Sequence, residues 1–144
     1  MSLWRTSIEG GEPVQISNLF ITTAAISPDG KFLACRYREE NPNVPPKLII
    51  LPIEGGTPTK TFDLPPTVIG APEWSADGKS LSVADTRTGT NNLWSFSLEN
   101  GQMKQLTDFK PDGFFNRETS PDRKMMAISR GTVTSDVILI SDFR

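Results

Sequence analysis

The sequence has no histidine and a single cysteine. Without histidine, the Ser-His-Asp and Cys-His nucleophile pairs are excluded, as are imidazole metal sites and the commonest general base. The lone Cys35 lies in the alternating run Phe32–Tyr37, which marks it as a buried small hydrophobe and leaves the redox compartment open. No apolar run approaches the ~20 residues needed to cross a bilayer as a helix, and the N-terminus lacks the basic-then-apolar layout of a secretion signal. Membrane insertion by this chain is not expected.

Charge of one sign is also missing. Fifteen lysines and arginines stand against seventeen acids, a formal net charge of −2. The basic residues are scattered, so no face suits a phosphate backbone and nucleic acid is not an expected partner. No G-x-S-x-G elbow occurs, and the stretch Gly70 to Gly78 lacks the spacing of a phosphate loop. A helical apolar period of useful length is absent as well, because twelve prolines and eleven glycines interrupt 144 residues at short intervals. Short strands and tight turns remain.

What is present is a repeat. Gly10-Gly11-Glu12-Pro13 aligns with Gly55-Gly56-Thr57-Pro58 and with Asn100-Gly101-Gln102-Met103, each 45 residues after the last. An alternating strand precedes each copy: Leu3–Ile8, Leu48–Ile53 and Leu93–Leu98, with Val137–Ser141 as a fourth. A second marker recurs as Ser27-Pro28-Asp29-Gly30-Lys31, Ser75-Ala76-Asp77-Gly78-Lys79 and Ser120-Pro121-Asp122-Arg123-Lys124. Pro presets φ, Asp bonds its own backbone and Gly takes the positive-φ position, so the marker is a hairpin turn and its Asp is structural.

The rhythm of strand, turn, strand, loop, strand, turn, strand gives an all-β chain built of blades of four antiparallel strands. The expected units are a half blade at 3–17, blades at 20–63 and 68–109, and an incomplete blade at 114–144. About three blades leave the ring incomplete. Trp74-Ser75-Ala76-Asp77-Gly78-Lys79, followed by Asn92-Leu93-Trp94 and Gln105-Leu106-Thr107-Asp108, resembles the WD40-like (PD40) repeat of the TolB β-propeller family. The end of the chain, Ser129–Arg144, resembles the C-terminal part of propellers appended to bacterial Ser/Thr kinases. In the third unit Thr119 replaces Trp and Arg123 replaces Gly, so that blade is expected to be the least regular.

A propeller closes with four to eight blades. Leu3–Ile8 and Pro13–Ser17 are the third and fourth strands of one blade, while Phe115–Thr119, Met125–Arg130 and Val137–Ser141 are the first three of another. Two chains stitched head to tail would complete a six-bladed ring, with Leu3–Ile8 and Val137–Ser141 competing for one position.

Candidate chemistry is sparse. Glu39-Glu40-Asn41-Pro42-Asn43 and Asp85 with Asn91-Asn92 carry oxygen ligands, but no alternating Asp-x-Asp-x-Asp register for calcium, and they read as solvated loops. No catalytic, metal or cofactor site is expected. Trp74, Trp94 and Phe114-Phe115 read as packing residues, with Trp4 exposed at an edge.

In propellers, recognition favours the face that carries the loops between second and third strands and the connectors between blades. Here those are Arg38–Pro46, Thr86–Asn92, Gly131–Asp136, Asp63–Val68 and Lys110–Gly113. Candidate interaction residues are Arg36, Arg38, Glu39, Glu40, Asn43, Arg87, Asn91 and Arg130, the arginines favouring an anionic or acidic-peptide partner. The resemblance implies a non-catalytic protein- or peptide-binding module of a larger bacterial protein, on the periplasmic or another extracytoplasmic side. The competing readings are a sensor propeller behind a kinase, the gating propeller of a prolyl-oligopeptidase-like serine peptidase, and a carboxylate glycan enzyme.

Overall fold

A computed structural model of the chain describes residues 2–132 except 42, 121 and 123. The expected strand Val137–Ser141, turn residues Pro121 and Arg123, and most of the loop Gly131–Asp136 lie outside the described residues. Among those described there is no helix, and twelve strands form four antiparallel sheets. The first sheet pairs β1 (Leu3–Arg5) with β2 (Val14–Ser17). Then come two meanders of four strands each. One is β3 (Ile21–Ile26), β4 (Phe32–Tyr37), β5 (Lys47–Pro52) and β6 (Lys60–Asp63). The other is β7 (Val68–Trp74), β8 (Ser80–Asp85), β9 (Asn92–Ser97) and β10 (Met103–Gln105). The last sheet pairs β11 (Gly113–Thr119) with β12 (Met126–Gly131). These are propeller blades, and the described residues form no closed ring.

Side-chain alternation explains how blades stack. Successive residues of β5 point to opposite faces. Leu48 and Ile50 join a core with Trp74, Leu81, Val83 and Phe96 of the following blade, whereas Ile49 and Leu51 join Ile16 of the preceding sheet. Both faces are therefore covered, which is why Lys47–Pro52 reads as a continuous apolar run where a one-sided strand would alternate. Each of these side chains contributes roughly 1.5–3 kcal/mol by leaving water. A third cluster, Ala84, Leu93 and Phe114, joins the second complete blade to β11.

The repeated Ser-x-Asp turn is closed by its own atoms. The Ser27 hydroxyl donates to Asp29 Oδ1 at 2.6 Å, the Lys31 amide donates to the same oxygen at 3.1 Å, and the Phe32 amide donates to Ser27 Oγ at 2.9 Å. Ser75, Asp77, Lys79 and Ser80 repeat this pattern, as do Ser120, Asp122, Lys124 and Met125. The serine hydroxyl and the lysine amide hold the Asp29, Asp77 and Asp122 carboxyls below their usual range. Gly30 and Gly78 take φ of 72° and 67°, the left-handed region that a side chain resists. The third turn keeps its serine–aspartate bonds with Arg123 in the chain.

Two expectations change. Phe115 is 60% exposed while Phe114 is buried, because neighbours on a strand face opposite sides and only one side of β11 meets the second complete blade. Asp85 and Asn92 are fully buried instead of solvated, for reasons given below.

Candidate interaction face

Antiparallel meanders sort the connections to two ends. Ser-x-Asp turns and glycine hairpins share one end, where the Ile53 amide bonds the Lys31 carbonyl and the Leu98 amide bonds the Lys79 carbonyl. The β4–β5 and β8–β9 loops share the other end with the connectors between blades. There the Arg38 amide donates to the Phe20 carbonyl, Leu64 to Pro46 and Thr86 to Thr67.

On this second end Arg38, Glu39 and Glu40 surround a hollow of about 370 Å³ with Phe20, Asn41 and Val44. Glu39 accepts a hydrogen bond and ion pair from Lys47 at 2.8 Å, which raises the lysine pKa. The Asn43 amide donates to Asn41 Oδ1 at 3.0 Å, and Val44 to the Asn41 carbonyl at 3.1 Å, so the loop is internally braced. The hollow is lined by two apolar side chains, one arginine, two acids and one amide.

The remaining candidates are placed elsewhere. Arg36 lies half-buried and donates from Nη2 to the Val68 carbonyl at 2.9 Å, binding one blade to the next. Burial, then the neighbouring Arg38, lowers its pKa. Arg87 donates from Nε to Asp85 Oδ2 at 2.8 Å and stacks over Trp94, 4.4 Å from the ring centre. Asn91 donates to the Phe114 carbonyl at 3.0 Å, and Arg130 lies 4.3 Å over the Phe109 ring. Arg36, Asn91 and Arg130 therefore hold blades together, and Arg87 braces its own blade.

Asp85 and Asn92 face each other across β8 and β9. Asn92 Oδ1 accepts from the Thr107 hydroxyl at 3.0 Å and the Phe109 amide at 2.7 Å, while its Nδ2 donates to Thr88 and Thr90. One amide thus fixes both a loop and a blade connector. Burial pushes the Asp85 carboxyl up, but bonds from the Arg87 side chain and backbone outweigh this and leave it lowered. Arg117 is a further buried charge: it donates to the Ser82 carbonyl at 2.9 Å and pairs with Glu73 at 3.4 Å, linking the last sheet to the preceding blade. Among the described residues no group of three or more His, Cys, Asp or Glu side chains is placed to hold a metal ion.

No protein-family model matches the chain, and no curated protein matches it. Solved structures do. TolB from Acinetobacter baumannii superposes with a TM-score of 0.66 at 20% identity, over 88% of this chain and 31% of that one. A TolB-like protein from Agrobacterium tumefaciens gives 0.64 at 26% identity, over 90% of this chain and 50% of that one. The fold is that of a TolB-like β-propeller. The β-propeller domain of the Trilobed protease from Pyrococcus furiosus, which has an open velcro topology, gives 0.52 at 19% identity over 79% of this chain and 36% of that one. The chain spans about a third to a half of the length of these propellers.

Proposed function

We propose that this TolB-like chain is a non-catalytic interaction module of a bacterial protein, binding a protein or peptide segment through the end that carries the β4–β5 loop. The observation that supports this most is the hollow of Arg38, Glu39 and Glu40 on a braced loop, at the end of the sheets whose opposite end consists of self-closed turns. Conformationally braced loops on a rigid scaffold bind with less ordering cost than floppy ones. The resemblance to TolB supports an extracytoplasmic setting, which fractionation of the source bacterium would check.

Panning a peptide library against the chain, followed by titration of the selected peptides, tests the reading. Saturable binding weakened at least about tenfold by Arg38→Glu or Glu40→Lys, and unchanged by Lys31→Glu on the turn end, is expected. Binding that ignores the loop charges, or turnover of peptide or glycan substrates by the chain itself, overturns it. The likeness to the Trilobed protease propeller favours one second reading, a propeller that serves a separate peptidase domain. A full-length gene encoding such a domain would replace the first reading with this one.

A further inference from the structure

A cleft of about 670 Å³ lies between the two complete blades at the turn end, away from the loop-end hollow. Phe32 and Ile50 line it from the first blade, Trp74 and Leu98 from the second, so its walls are apolar. Phe32 is half-buried, whereas Ile50, Trp74 and Leu98 continue inward as the core between the blades. Charge is confined to three exposed side chains, Lys60, Lys79 and Glu99. Strand alternation turns Lys60 toward the seam: Phe62, two residues on in β6, packs against the same inter-blade core. The Lys60 ammonium crosses the seam to donate to the Leu98 carbonyl at 2.7 Å. An ammonium has three donors, so this bond holds the charge at the cleft without exhausting it. The blade architecture does not demand a cation there, since the same position holds Gln15 and Gln105 in the other two repeats.

We propose that this cleft binds a small organic monocarboxylate with an apolar body, the body against Phe32 and Trp74 and the carboxylate beside Lys60 and Lys79. Three observations select that class. The volume falls among small-molecule sites, which span roughly 300–1,000 Å³. The apolar walls take an apolar body out of water, and the charged groups at the cleft fix its orientation. Two lysines against one glutamate leave a single net positive charge, which matches a monoanion better than a phosphate or a dicarboxylate. Every residue of the cleft belongs to the two complete blades, so the site is independent of the two-stranded sheets at either end. The proposal goes beyond the loop-end reading and does not rest on it.

Isothermal titration of the 144-residue chain with 4-phenylbutyrate, its amide and the matching amine tests it. The acid should bind one to one in the low-millimolar range or tighter, the amide at least about fivefold more weakly, and the amine not measurably. Lys60→Gln, which installs the residue of the other repeats, and Lys79→Gln should each weaken the acid by about two- to fivefold and leave the amide unchanged. Glu99→Gln should tighten the acid by up to about fivefold. Arg38→Glu, at the loop end, should change nothing. Circular dichroism of each variant separates loss of the site from loss of folding. Equal binding of acid and amide, indifference to both lysine substitutions, or no saturable binding of the acid overturns the proposal. Each of these results leaves peptide binding by the loop end intact.

Discussion

The indole nitrogen of Trp74 donates a 2.9 Å hydrogen bond to the carbonyl of Ala25, joining the innermost strands of two consecutive blades. Trp74 is 5% exposed, so the ring fills the seam between blades while its polar edge satisfies a backbone oxygen there. Trp74→Phe keeps most of the apolar contact and removes this bond. A loss of about 0.5–1.5 kcal/mol in urea unfolding is expected.

The counterpart of Trp74 in the next repeat is Thr119, whose hydroxyl is buried without a hydrogen-bond partner. Thr119→Val preserves the shape and removes the orphaned group. It should raise stability by up to about 1 kcal/mol, measured by the same denaturation. A destabilised variant would mean that the hydroxyl has a partner in solution.

Gly55 is needed for two reasons. Its φ is 90°, and a Cβ built there would lie 2.6 Å from the Ile16 carbonyl oxygen. Gly56, at φ 99°, has open space around it. Gly56→Ala should cost about 1 kcal/mol from backbone strain alone. Gly55→Ala should cost clearly more, because the β1–β2 sheet must also move aside; equal losses in a thermal melt would refute the close approach.

Acid sensitivity follows from Asp85. Its folded pKa lies below the unfolded value, so its stabilisation is full above about pH 4 and fades as pH falls through the folded value. The Asp29, Asp77 and Asp122 carboxyls, lowered in the same sense, add to this limb. Melting temperature should hold steady from neutral pH to about 5 and drop below about 4. Asp85→Asn should lower stability by about 1–3 kcal/mol at neutral pH and flatten the acid drop.

Cys35 is fully buried, and burial pushes its thiol pKa up to about 12. It should stay unmodified by a disulfide reagent in the native protein at pH 8 and react at once in denaturant. Rapid native labelling would show that β4 opens readily.

The blades were legible because their signals are local and repeated. Ser27, Asp29 and Gly30 announce a turn by their own chemistry, and the same pattern returns at Ser75, Asp77 and Gly78. The fate of Arg36 was not, since the Val68 carbonyl that captures it lies on another blade 32 residues away. Neither was the burial of Asp85 and Asn92. The preceding repeat has Tyr37 and Lys47 at these paired positions, so repetition carried no warning. Two polar residues facing each other at the ends of adjoining strands were the available signal. Phe115 was misplaced for a simpler reason: adjacent phenylalanines on a strand cannot both face the same neighbour.

Each Ser-x-Asp turn closes through atoms within its own six residues, and each complete meander pairs only strands that are adjacent in sequence. Such a unit needs no atom of a neighbouring blade to close its turns or pair its strands, the arrangement that lets a polypeptide be organised progressively as it leaves the ribosome. The same independence makes gene duplication tolerable: a further copy of the unit meets surfaces already shaped to receive it, and blade number becomes an easy quantity for evolution to change.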